Sequence, residues 1–214
     1  MLRLLSTILT IQVSWLFAMG QKDCVLRKDL DSIKVYTCAA ERLKFKTIKA
    51  SFTVNVPLSQ LAAFVLDIDN YNNWQYKTIH AHTVKKINDR EFIYYTEIIA
   101  PWPVSNRDMV IHLRLIQDPK SKVITITTKS VPGLIPAKKN IVRVPTSLAK
   151  WTVVPVSANR LKVEYVIQID PGGSVPAWMV NMVAAQAPYD SFKNLKDQIH
   201  QHDLKGKTLS SIID

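Results

Sequence analysis

"DPGGSVPAWMVNMVAAQAPYDSFKNLKDQIHQH" occupies residues 170–202, and its reading decides the fold. Trp178, Met182, Ala185, Tyr189, Phe192, Leu195 and Ile199 recur at intervals of three and four residues, the spacing of one helix face. The stretch reads as one long amphipathic α-helix, bent near Pro188, where the ring removes a backbone donor and crowds the preceding turn.

Most of the chain before this helix reads as strand. "SIKVYT" (32–37) is a short one. "LKFKTIKASFTVNV" (43–56) is longer, with Ile48, Ala50, Phe52, Val54 and Val56 on one face. Pro57 then opens a helix, "PLSQLAAFVLD" (57–67), whose Leu58, Leu61, Ala62, Val65 and Leu66 form an apolar stripe. "IDNYNNWQY" (68–76) is turn-rich and predicts a short second helix carrying Tyr71 and Trp74. Seven strand candidates follow: "HAHTVKKI", "EFIYYTEII", "RDMVIHLRLIQ", "KVITITTKS", "NIVRVP", "AKWTVVPV" and "RLKVEYVIQID". Short polar joints such as "NDR" and "SANR" favour antiparallel hairpins over parallel crossovers. A long antiparallel sheet has to cover its apolar face, and only the terminal helix is long enough to do so. The expected class is α+β: a curved antiparallel β-sheet wrapped around a long C-terminal α-helix.

The first twenty residues stand apart. "MLRLLSTILTIQVSWLFAMG" has one early charge, Arg3, then an apolar run from Leu4 to Phe17 closed by Ala18-Met19-Gly20. This matches a secretory signal peptide over 1–20, cut after Gly20. A single membrane anchor is the other reading, although the run is short for a spanning helix and carries Ser6, Thr7, Gln12 and Ser14. An exported chain, periplasmic or secreted, would place Cys24 and Cys38 in an oxidising compartment. There they either close a short loop as a disulfide or stay as two thiols.

The formal net charge is +11, one unit less once Arg3 leaves with the leader. Such a balance suits an acidic partner, and for an exported chain an anionic membrane surface fits better than nucleic acid. The lysines are also scattered, without the interleaved aromatics of a nucleic-acid face. No nucleic acid is expected as a partner, and the chain is read as a monomer.

Three stretches together resemble the START domains, the lipid-transfer domains related to the steroidogenic acute regulatory protein, within the helix-grip superfamily. They are "NYNNWQY" (70–76), "PWPVSNRDMVIHLR" (101–114) and "DPGGSVPAWMVNMVAAQAP" (170–188). With the element order, the resemblance covers a domain at 23–203 and leaves 204–214 as a tail. It implies a tunnel between sheet and C-terminal helix that holds one lipid or similar apolar molecule. It also places Arg107 and Asp108 at a strand entrance as a structural ion pair or hydrogen-bonding corner. Pro101 and Pro103 lack ladder donors and end pairing just before that strand.

Laid on the family pattern, Tyr94 and Leu113 fall near the positions where steroid-binding members carry a charged pair. The inward faces would then be Phe92, Tyr94, Thr96 and Ile98 on one strand and Met109, Ile111, Leu113 and Leu115 on the next. Tyr165 on the last strand and Trp178, Met182 and Ala185 on the helix complete the expected wall. The same periodicity would equally fill a solid core. "SVPGLIPAKKN" (130–140) matches the family's gating loop in position, and Val131, Leu134 and Ile135 beside Lys138 and Lys139 suit contact with an anionic membrane. A loop folded back over the end of the helix is the plainer reading.

No catalytic constellation is present: no HExxH, GxSxG, P-loop or GxGxxG. His80 and His82, two apart on a strand, have no third ligand, so neither a metal nor a cofactor is implied. The sequence thus points to non-enzymatic binding and transfer of a lipid. The alternatives are a sequestering module without transfer, or a cyclase-like helix-grip enzyme using Tyr94, Tyr95, Glu97 or Tyr165.

Overall fold

The computed structural model describes residues 24–39, 47–201, 209 and 211–214. The expected leader, the first residues of the 43–56 strand and most of the 204–214 tail lie outside them.

β1 (Cys24–Leu30) and β2 (Ile33–Cys38) form a hairpin whose turn residues, Asp31 and Ser32, have φ of 52° and 60°. Positive φ at both central positions matches a two-residue turn to the twist of its strands. Cys24 stands opposite Cys38, and the two are joined by a disulfide. The sequence reading missed β1, because neither of its faces is buried and no alternation marks it.

β3 (Thr47–Val54) leads through Pro57 into α1 (Leu58–Leu66), a 3-10 turn (Ile68–Asn70) and α2 (Tyr71–Trp74). Then come β4 (Thr78–Asn88), β5 (Glu91–Ile98), β6 (Arg107–Gln117), β7 (Ile124–Ser130), β8 (Val142–Arg143), β9 (Thr146–Ser157), β10 (Arg160–Asp170) and α3 (Ala177–Gln198). The sheet order is β1-β2-β3-β10-β9-β7-β6-β5-β4. The last strand therefore closes against the third, and the helix that follows it returns over the concave face. "NIVRVP" is not a full member of the meander. Its two strand residues pair parallel with Arg107 and Asp108 of β6, while β7 pairs directly with β9.

One apolar core lies between α1, α2, the sheet and the C-terminal half of α3. α1 is apolar on nearly all sides and is buried almost throughout, as a helix of that composition requires. α3 runs unbroken through Pro188. Its residues Phe192, Leu195 and Ile199 are fully buried, and Phe192 stacks on Phe52 of β3 with ring centroids 4.7 Å apart. Polar bonds fix the same half: the Tyr76 N–H donates to Ser191 Oγ at 2.9 Å, Asn194 Nδ2 to the Trp74 carbonyl at 3.3 Å, and Gln198 Nε2 to the Asn73 carbonyl at 2.6 Å.

The outer half of α3 corrects the sequence reading. Trp178 is 62% exposed and Met182 45% exposed, and Ala185 is only half-buried. Counting back from Phe192 by threes and fours gives two branches, one through Tyr189, Ala185, Met182 and Trp178, the other through Pro188, Ala184 and Val180. Both are apolar, so composition did not choose between them. The structure turns the second branch inward. Tyr189 instead donates its hydroxyl to Asp31 Oδ2 at 2.6 Å, on the β1–β2 turn.

Leu195→Ala should lower unfolding stability by about 2–5 kcal/mol, as truncation of a fully buried leucine does. Met182→Ala should stay within about 0.5 kcal/mol, as an exposed position does. Urea denaturation of the two variants checks the phase of the helix.

Candidate functional site

Where the C-terminal half of α3 packs on the core, its N-terminal half roofs a cavity of about 310 Å³. One wall is β5 and β6, through Tyr94, Ile98, Met109, Ile111 and Leu113. The opposite wall is β9 and β10, through Ser147, Ala149, Trp151, Tyr165, Ile167 and Ile169. Met179, Val180, Val183, Ala184, Ala187 and Pro188 of α3 form the roof. The mouth lies between the 99–104 loop and the 171–175 loop, with Ile99, Pro101, Val104, Pro171 and Val175 on its rim and Arg107 beneath.

The inner end is an aromatic collar. Tyr71 meets Tyr94 edge-on at 5.3 Å and Trp74 at 5.2 Å; Trp151 meets Tyr165 and Phe192 at 5.2 Å each. Such tilted pairs each add about 0.5–1.5 kcal/mol beyond area burial, which makes the collar a stiff wall. Tyr71 donates its hydroxyl to the Val65 carbonyl at 2.7 Å. The hydroxyls of Tyr94 and Tyr165 have no hydrogen-bond partner among the described residues, and burial pushes both phenols far above their ordinary pKa. Trp74 Nε1, Thr78 Oγ1 and Thr96 Oγ1 are likewise buried without partners. Trp74 and Thr78 line the cavity, so its apolar surface carries a few free donors.

Of the expected wall residues, Tyr94, Ile98, Met109, Ile111, Leu113 and Tyr165 line the cavity. Phe92 packs against the core beyond its end, and Thr96 is buried without reaching it. Trp178, Met182 and Ala185 are off the wall for the reason given above.

Arg107 and Asp108 do not pair with each other. Adjacent strand residues point to opposite faces. Arg107 turns inward, and its guanidinium donates to the carbonyls of Ser105, Pro171 (3.4 Å) and Gly172 (3.3 Å), tying the two mouth loops together. Gly172 sits at φ +67°, where an added Cβ would lie 3.1–3.2 Å from Pro145, Val142 and the Arg143 carbonyl. Asp108, 1% exposed, faces outward to Arg143 in a bidentate pair, Nε–Oδ1 2.6 Å and Nη2–Oδ2 3.0 Å. That bond raises the Arg143 pKa further.

Arg143 went unread in the sequence, and it holds the loop expected as the gate. Its Nη1 donates to the carbonyls of Pro132 (2.7 Å) and Ile135 (3.1 Å) and its Nη2 to that of Pro136 (3.2 Å). The 131–139 loop is therefore pinned on the outer face of the sheet. Val131, Leu134, Ile135, Lys138 and Lys139 border no part of the cavity. Lys138 reaches Glu97 at 3.3 Å and lies 4.3 Å over the Tyr95 ring, while Lys139 and Leu134 remain exposed. Tyr95 donates to Glu97 Oε2 at 3.1 Å, and burial raises its pKa to about 12. Tyr95 and Glu97 thus belong to the outer face and aim no acid–base group at the cavity.

A START domain model matches residues 7–205 of the chain. An uncharacterized protein of Pseudomonas aeruginosa is 30% identical over 178 residues, 82% of this chain and 86% of that protein. A solved STAR-related lipid transfer protein fragment from Xanthomonas axonopodis superposes with a TM-score of 0.76 at 29% identity, covering 83% of this chain and 99% of that one. Human STARD10 shares the fold, with a TM-score of 0.74 at 21% identity over 88% of this chain and 78% of its own.

Asp108→Asn should cost about 3–5 kcal/mol, because it leaves the Arg143 guanidinium without its charge partner. Lys138→Ala, which removes a half-exposed pair, should cost no more than about 1 kcal/mol. Denaturation curves, with amide exchange across residues 131–136, separate the two.

Proposed function

This chain belongs to the START domain family, and on that premise we propose that it is a non-enzymatic carrier that binds one lipid beneath α3 and exchanges it at membranes. The observation that carries the reading is the apolar cavity roofed by the N-terminal half of α3, with its mouth at that end of the helix. The name of the Xanthomonas relative, a lipid transfer protein, supports the same assignment. Burial of methylenes along the wall supplies affinity, about 0.8 kcal/mol each. The unpartnered groups of Trp74, Thr78, Tyr94 and Tyr165 offer hydrogen bonds to oxygens of the cargo. Phenols held far above neutral pKa stay protonated and act as donors, which suits holding rather than proton abstraction.

The mouth, rather than the 131–139 loop, is the surface we assign to membrane contact. Trp102 is 91% exposed at the tip of one rim loop, and Trp178 and Met182 are exposed at the start of α3 beside the other. Aromatic side chains with one polar edge settle at the boundary between water and lipid. Their neighbours Pro101, Val104, Val175 and Met179 line the cavity, so docking there would open a path from bilayer to interior. Export is part of the same proposal. It rests on the leader-like residues 1–20 and on the Cys24–Cys38 disulfide, which persists in oxidising compartments.

Native mass spectrometry of the purified chain, with solvent extraction, should find one lipid per protein; an empty protein that takes up no lipid from vesicles would sink the carrier reading. Trp102→Ser combined with Trp178→Ser should slow transfer between vesicles roughly tenfold, the worth of one buried aromatic side chain. Bound lipid should remain stoichiometric in that variant. An unchanged transfer rate would remove the mouth as the docking surface.

A further inference from the structure

Resting on the carrier reading, we propose that the cargo is a single-chain lipid with an anionic head, and that Arg107 holds that head at the cavity mouth.

Arg107 is the one cationic residue that lines the cavity among the described residues, and it is 9% exposed. No carboxylate lies within 4.0 Å of it among the described residues. Its hydrogen-bond partners among the described residues are three neutral backbone carbonyls: those of Ser105, Pro171 and Gly172. A guanidinium carries five N–H groups, so one remains on each terminal nitrogen. Those two suit an oxyanion, since carboxylates and phosphates are what an Arg fork binds best. Arg143, just across the sheet, shows the contrast. Asp108 neutralises it and raises its pKa, whereas burial without an anion lowers that of Arg107. Removing a cation from water without a counter-charge is costly, and an incoming anion would recover that cost.

Size narrows the rest of the molecule. The cavity volume of about 310 Å³ sits at the lower end of the roughly 300–1,000 Å³ of ligand pockets. From Arg107 to Leu113 the wall follows β6 for six residues, roughly 20 Å at ~3.4 Å per residue. A volume so small and so long is a slot. One extended chain suits it better than two, with its head under the rim and its tail toward the aromatic collar.

The test titrates the full chain, freed of bound lipid, with four probes: palmitate, palmitoyl lysophosphatidate, hexadecanol and dipalmitoyl phosphatidate. Either or both single-chain anions should bind at least roughly tenfold more tightly than hexadecanol, the margin expected of a charge-assisted fork. Which of the two gains it tells a carboxylate from a phosphate. Arg107→Gln should collapse the anion-to-alcohol ratio, and Arg107→Lys should keep more of it than Gln. The ratio is the readout, because loosened rim loops alone would weaken both ligands together. Equal wild-type affinity for palmitate, lysophosphatidate and hexadecanol overturns the proposal, as does an unchanged ratio in Arg107→Gln. Stoichiometric uptake of the two-chain phosphatidate with equal affinity overturns the single-chain part. Binding of hexadecanol without an anion preference would leave the carrier reading standing and this inference fallen; no binding of any probe would fell both. If the Gln variant does not fold, the wild-type ratio and its fall in Arg107→Lys decide.

Discussion

Phe192 stacks on Phe52 at 4.7 Å, and the position of the whole C-terminal helix follows from that contact. Phe52 lies on β3, which pairs with the last strand, β10, so the helix leaving β10 lands on the strand beside it. Leu195 and Ile199 continue the buried row, and side-chain bonds to the backbone of Asn73 and Trp74 stop it sliding. With one half held so firmly, the other projects as a lever arm over the two walls. It meets no strand that fills the space beneath it. The cavity is therefore the geometric remainder of a helix anchored at one end.

The period-two alternation of β6 then divides the work at the entrance. Arg107 faces the cavity and binds the two mouth loops from within, whereas Asp108 faces out and, through Arg143, fixes the 131–136 turn on the far surface. A single Arg-Asp step thus braces both sides of the sheet edge. Loop carbonyls accept from both guanidiniums, so two side chains brace three loops. Trp102 rides on one inner loop and Trp178 on the helix that follows the other, and any opening of the mouth has to pass through the bonds of Arg107.

Apart from β1 and β8, the sheet, the helix and their order were legible in the sequence because the strands alternate and their joints are short. Tyr94, Met109, Ile111 and Tyr165 could be placed on an inner face by the same rule. What failed did so where two patterns were equally apolar or where contacts cross large sequence distances. The N-terminal half of α3 offered Trp178 and Met182 against Val180 and Ala184, and hydrophobicity does not rank those pairs. Arg143 lies 35 residues from Asp108, inside a stretch that read as strand, and nothing local marks it as a partner. The 131–139 loop is greasy at its tip and basic at its end; its bonds to Arg143, to the Val110 carbonyl and, through Lys138, to Glu97 cross sequence distances that no local pattern marks. A cavity, finally, has no periodicity distinct from that of a packed core.

Energetics give the cavity its meaning. At about 24 cal/mol per Å³, an unfilled space of 310 Å³ would forfeit about 7 kcal/mol relative to a packed interior. That is comparable to the 5–15 kcal/mol by which typical domains exceed their unfolded states. Water is a poor remedy, since the walls are mostly aliphatic and aromatic and offer few partners. The sequence could have closed the gap with larger side chains: Ala149, Ala184 and Ala187 all face it, and none is replaced by leucine or phenylalanine. Small residues at the roof and wall, opposite a rigid aromatic collar, keep the space open at a cost to the empty protein. Under the carrier reading proposed above, an apolar occupant would restore the missing contacts, and the same contacts would set its affinity.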